Sequence, residues 1–237
     1  MVYFRNLLCV LMIACWHNAS QADVLIYDSG STVSGTGVSG NGTAVGWFGA
    51  NQFSKAQSFT NTQGACTINT ISVWMTAGST LSGSFNLQLF TSTGTAGSNS
   101  TPLSLVTGYS RTVATSSLPL SSTPQQVNFT NLNWSLAGNG NYFFVFDASN
   151  MSGSSSSPNY FQLNYSNPYV SGQNMAYSTN GTSTWNITEE SSLRPTLAGQ
   201  VSVSVPEPGT LLLGSAAIAI LTAYFCFKHL FRRLTVA

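Results

Sequence analysis

Phe85-Asn86-Leu87-Gln88-Leu89 alternates apolar and polar side chains without a break. A period of two puts Phe85, Leu87 and Leu89 on one face of an extended strand and Asn86 and Gln88 on the other. The same period recurs in Ile71-Ser72-Val73-Trp74-Met75, Phe161-Gln162-Leu163-Asn164-Tyr165 and Val201-Ser202-Val203. Tyr142-Phe143-Phe144-Val145-Phe146 is apolar throughout, which predicts a strand covered on both faces. No segment between 23 and 204 sustains a helical period, and the Gly/Ser-rich stretches 29–46, 92–100 and 152–157 read as loops. Short strands separated by turn residues predict an all-β fold: one domain, an antiparallel β-sandwich of jelly-roll type.

Composition narrows what such a domain does. Charged residues make up only 5% of the 237 residues while 43% are hydrophobic, so Ser, Thr, Asn and Gly must supply the polar surface. Within 23–204 the charges are Lys55, Arg111 and Arg194 against Asp23, Asp28, Asp147, Glu189 and Glu190, a net of −2. Nucleic-acid binding needs a basic face that displaces counterions from phosphates, and three scattered cations do not form one. Aromatic and aliphatic residues are frequent enough to build a core, so the segment reads as folded. Cys9 and Cys15 lie in the first apolar run and Cys226 in the last, leaving Cys66 alone in the middle. No disulfide forms within 23–204.

The two ends differ from the middle. Arg5, the apolar run 7–16 and Ser20-Gln21-Ala22 are the three parts of a secretory signal peptide over 1–22, with cleavage between Ala22 and Asp23. At the other end, residues 209–227 carry no charge. As a helix they would cover about 28 Å, enough to cross the hydrocarbon layer of a membrane. Lys228, Arg232 and Arg233 follow within the tail 228–237. Each would cost about 2.5–3.5 kcal/mol at the membrane centre, so they stop transfer and stay inside. The middle is then exported.

Val205-Pro206-Glu207-Pro208 stands between the middle and that apolar segment. Both prolines fix their own φ and bias the residue before them toward extended backbone, which presents the Glu207 carboxylate on a stiff tripeptide. Together with the leucine-rich segment that follows and the basic tail, Val205-Pro206-Glu207-Pro208-Gly209-Thr210-Leu211-Leu212-Leu213 resembles the PEP-CTERM sorting signal. Members of that family are exported by Gram-negative bacteria, many of which make extracellular polysaccharide. The resemblance implies export by the general secretory machinery and passage through a single-pass inner-membrane intermediate. It further implies recognition by an exosortase, with cleavage near the motif. This tail is looser than usual, since Lys228 and His229 precede Arg232-Arg233 and four residues follow.

The middle in turn resembles the choice-of-anchor β-sandwich domains that often precede such anchors. The residues that carry this are Ala56-Gln57-Ser58-Phe59-Thr60, then 71–75, 85–90, and Asn133-Trp134-Ser135-Leu136 leading into 142–146.

Catalysis finds little support in the residue types. His17 and His229 are the two histidines, and neither lies in 23–204. Ser-His-Asp and Cys-His catalysis and histidine-based zinc sites are therefore absent from that segment. Glu189 and Glu190 are adjacent and would point to opposite faces of a strand. No motif surrounds Asp28 or Asp147, and Asp147 with Asn150 reads as a strand end and turn in preference to a calcium site. The expectation is a non-catalytic protein of the cell surface or extracellular matrix, without cofactor or metal. The alternative is a carbohydrate-binding module that retains extracellular polysaccharide. Trp185 and Tyr169, set in polar turn-rich sequence, are its candidate stacking residues.

Overall fold

The computed structural model describes residues 21–29, 38–77, 79, 81–94, 99–119, 121–166, 173–179, 181–187 and 196–206. They form thirteen strands and one short 3₁₀ turn, Thr115–Ser117. The strands are β1 Gln21–Asp28, β2 Val38–Phe48, β3 Asn51–Asn61, β4 Cys66–Ala77, β5 Ser84–Ser92, β6 Pro102–Ala114 and β7 Gln125–Phe129. They continue with β8 Trp134–Leu136, β9 Gly140–Asp147, β10 Asn159–Ser166, β11 Met175–Ser178, β12 Asn186–Ile187 and β13 Gly199–Pro206. The all-β expectation holds.

The strands join in one curled antiparallel sheet in the order β1-β13-β4-β10-β2-β3-β9-β5-β6. β7 and β8 also pair with β4, and β11 joins β3 and β12. The sheet turns its corner at β3, which changes partner along its length. Asn51–Phe53 pair with β2, whereas Lys55–Asn61 pair with β9. Beyond the corner, the rings of β5 and β9 meet those of β1, β7 and β10. Phe85 lies 6.2 Å from Phe129 and 5.1 Å from Phe161, and Tyr27 lies 5.7 Å from Phe144. The two arms of the curl therefore close on a shared aromatic core.

The alternating reading holds at β5, where Phe85, Leu87 and Leu89 are all fully buried. The separate reading of β9 as a strand covered on both faces holds too, since four consecutive residues from Phe143 to Phe146 have no exposed surface. Phe144 and Phe146 face the aromatic core, and Phe143 and Val145 join a second cluster with Ala56, Phe90 and Ala176. In β10 the alternation stops after Leu163. The pairing with β2 shifts register between Asn164 and Ser166, and both of those polar residues are buried while Tyr165 is not.

The stretch 29–46 departs from its reading as a loop, because β2 begins at Val38. Gly42 and Gly46 within it serve close packing rather than a turn. A Cβ on Gly42 would stand 2.6 Å from the Leu163 carbonyl oxygen of β10. Gly/Ser composition lowers intrinsic strand preference, and pairing with β10 overrides it.

Uncharged side chains also satisfy the interior. Gln57 Nε2 donates to the Asn174 carbonyl (3.2 Å) while its Oε1 accepts from Leu197 N (2.8 Å). Asn174 Nδ2 donates to the Ser100 carbonyl and Ser100 Oγ donates back to Asn174 Oδ1. A buried amide that makes such bonds avoids the penalty of an unpaired polar group, with no charge to desolvate. Cys66 is buried and has no disulfide partner among the described residues, and burial pushes its thiol above the ordinary range.

The chain divides into two compact units. One is Val24–Val203 and the other comprises Met1–Asp23 with Ser204–Ala237. Of the second unit only 21–23 and 204–206 are described, and there Ser204 Oγ donates to Asp23 Oδ1 at 3.2 Å. The signal segment before residue 21, the apolar segment 209–227 and Glu207, Pro208, Lys228, Arg232 and Arg233 lie outside the described residues. No helix among the described residues is long and apolar enough to cross a membrane.

Tyr27 gives the first unit a pH signature. Its ring is buried and its hydroxyl donates to the Leu197 carbonyl at 2.5 Å. Burial raises its pKa far above the ordinary value, the nearby Asp28 charge adds to this, and a hydrogen bond with Ser29 opposes both. The folded-state value lies above the unfolded one, so this contribution is full below about pH 10 and is lost as the pH rises further. The unfolding midpoint is expected to fall above pH 10 more steeply in the wild type than in Tyr27→Phe. Thermal melts from pH 8 to 11 check this, and parallel slopes would refute it.

Candidate functional site

An irregularity in β6 shapes the site. Gln88 of β5 pairs with Ser110 and Phe90 with Leu105, so two steps along β5 face five along β6. The three extra residues bulge out of the ladder. Gly108, at φ 85°, supplies the left-handed backbone that the bulge requires. Tyr109 follows it and turns toward β8, where its ring stacks on Trp134 at 5.9 Å and 14°. The Tyr109 hydroxyl donates to the Ser135 carbonyl (2.8 Å) and accepts from Ser135 N (2.9 Å), which locks the ring in place.

Arg111 stands two residues on, opposite Leu87. Its Nη1 donates to the Thr130 carbonyl at 2.6 Å, bridging β6 to the segment between β7 and β8. That segment is pinned from below: Leu132 is buried and its N–H donates to the Asn69 carbonyl at 3.1 Å. Asn131 and Asn133 on either side are exposed and adopt left-handed backbone, at φ 58° and 54°. Asparagine is the side chain that tolerates this conformation best after glycine.

Together these residues line an open groove of about 420 Å³. Its walls are Gly108–Arg111 of β6 and Thr130–Trp134, at the end of the strand order that β6 occupies. Its volume falls within the usual range of small-ligand sites, about 300–1,000 Å³. Arg111 is exposed, and among the described residues no carboxylate pairs with it.

Of the candidate residues expected from sequence, those that are described fall elsewhere. Trp185 is half-buried, edge-on to Phe90 at 6.4 Å, and covers the Ala56–Phe90–Phe143–Val145–Ala176 cluster. Its Nε1 is buried without a hydrogen-bond partner among the described residues. Tyr169 lies outside the described residues, as do Glu189, Glu190 and Arg194. Asp28 is exposed and accepts from Gln200 Nε2 at 3.3 Å. Asp147 is buried at the end of β9, accepting from Ser149 N and Ser149 Oγ, both at 3.0 Å, and from Asn86 Nδ2 at 3.4 Å. It caps a turn there. Among the described residues no three of His, Cys, Asp and Glu gather as metal ligands would. Val205 and Pro206 end β13.

The groove is not among the sites expected from sequence, although two signals in the sequence mark its walls. A lone Gly108 inside the strand-like run from Leu105 to Val113 marks a bulge, and Asn131-Leu132-Asn133 marks a tight turn. That these two segments face one another is a tertiary fact. No family model, curated protein or solved structure matches this chain.

Proposed function

We propose that the protein is an exported, non-catalytic component of the cell surface or extracellular matrix of a Gram-negative bacterium. In this reading the β-domain is a sandwich of jelly-roll type, and the tail is a PEP-CTERM signal handled by an exosortase. The observation that carries the proposal is the order of Val205-Pro206-Glu207-Pro208, the uncharged stretch 209–227 and the basic Lys228, Arg232 and Arg233. The non-catalytic part is supported by the lack of histidine in 23–204 and by the structural engagement of Asp28 and Asp147. A strand-borne fold whose polar surface is Ser, Thr and Asn suits an exposed scaffold without strong charge of either sign.

Intact mass of the protein recovered from the native cell surface tests the proposal. The expected species begins at Asp23 and lacks everything beyond the Pro-Glu-Pro motif. A protein that retains 209–237 in every fraction would reduce the tail to a plain membrane anchor. One that still begins at Met1 would overturn the export route.

A further inference from the structure

We propose that the groove between β6 and the Thr130–Trp134 segment binds a carboxylate-bearing polysaccharide, a polymer of uronic acid, with Arg111 holding the carboxylate. Three features converge on that chemistry. The first is the guanidinium. Arginine presents five N–H donors in a planar fork that matches a carboxylate with two parallel bonds. Nη1 anchors the fork on the Thr130 carbonyl, and the remaining donors have no carboxylate partner among the described residues. An anchored, unneutralised guanidinium meets a carboxylate with little side-chain entropy left to lose.

The second feature is the aromatic pair. A sugar ring has an apolar C–H face that packs on an aromatic surface, while its hydroxyls need polar partners at the rim. Tyr109 supplies a half-buried ring, backed by the buried Trp134 and fixed at its hydroxyl by Ser135. Such a ring pays no reorganisation on binding. The third feature is the pair of exposed amides on Asn131 and Asn133, which line the same groove. Each offers both a donor and an acceptor, the pairing a sugar hydroxyl uses.

The shape agrees with a polymer. The groove is open rather than enclosed, which suits one stretch of a longer chain better than a small molecule. Charge selects among polymers: a neutral glycan leaves the guanidinium without its counterpart, whereas a uronate neutralises it. A net charge of −2 over 23–204 rules out bulk attraction of a polyanion, so recognition has to be local to Arg111.

The inference is independent of the sorting signal, and the mass measurement above cannot move it. Affinity electrophoresis of the detergent-solubilised full chain is run through gels containing polygalacturonate, fully methyl-esterified polygalacturonate or dextran. Retardation is expected with polygalacturonate alone. Arg111→Gln should weaken it about tenfold or more, and Arg111→Lys, which keeps the charge and loses the fork, should recover only part. Tyr109→Leu should weaken it as well, with thermal melts identifying any loss of fold in that variant. Equal retardation by the methyl ester would overturn the role of the carboxylate. Unchanged retardation of Arg111→Gln would place the site elsewhere, and no retardation of the wild type would end the proposal.

Discussion

Phe85→Ala is expected to lower stability by about 3–5 kcal/mol, the cost of truncating a large aromatic in a packed core. Phe85 has no exposed surface and touches rings from three other strands: Phe129 of β7, Phe146 of β9 and Phe161 of β10. Two of these belong to the opposite arm of the curl, so the ring holds the arms together. Removing it leaves a cavity whose lining is itself aromatic and rigid, with little capacity to collapse. Each favourable ring pair also contributes about 0.5–1.5 kcal/mol beyond buried area. For a protein of this size, the thermal midpoint should fall by about 6–20 °C. Leu103→Ala is the control: that side chain is 64% exposed on β6, and its loss should stay within about 0.5 kcal/mol. Equal shifts for the two variants in thermal melts of the full chain would mean that the arms do not close on Phe85.

Much of that core was legible in the sequence because strand burial has a local code. Alternation at 85–89 and the apolar run at 142–146 each point to a strand, and Phe85, Leu87 and Leu89 of β5 and Phe143–Phe146 of β9 are buried as those patterns require, though Gln88 is buried as well. The code fails where burial comes from a partner. Val38–Phe48 is too rich in Gly, Ser and Thr to declare itself a strand, and it exists because β10 runs beside it along its whole paired length. It fails again at Asn164–Ser166, where a register shift reverses which side chains face inward. The groove was the least legible part. Arg111 lies 19 residues from Thr130 and Tyr109 lies 25 from Trp134, and only the pairing of both segments to the curled sheet brings them together. Trp185 illustrates the converse. Its polar sequence neighbours mark a turn, yet the ring covers a cluster built from β3, β5, β9 and β11.

Gly46→Ala should destabilise by about 3 kcal/mol or more, through two costs that add at one atom. Gly46 sits at φ 110°, a conformation that an L side chain adopts only with strain of about 1–3 kcal/mol. A Cβ there would also stand 2.3 Å from the Asn159 carbonyl oxygen, a backbone atom of β10 that cannot rotate away. Met151 Cε, at 2.8 Å, belongs to a flexible side chain and yields more easily. Relief therefore requires β2 and β10 to separate at the Trp47–Asn159 pair. Asn159 is held in turn: its Nδ2 donates to the Ser82 carbonyl at 2.8 Å and its Oδ1 accepts from Ser82 N at 3.1 Å. Displacing it loosens that loop as well, and overpacking of this kind costs about 1–3 kcal/mol more. Gly49→Ala separates the two costs. Gly49 has φ 61° but nothing within 4 Å of the added atom, so it should lose only the strain, about 1–2 kcal/mol. Urea unfolding of both variants measures the difference. If Gly46→Ala costs no more than Gly49→Ala, β10 is not pressed against β2, and the close approach that explains a glycine-rich strand is wrong.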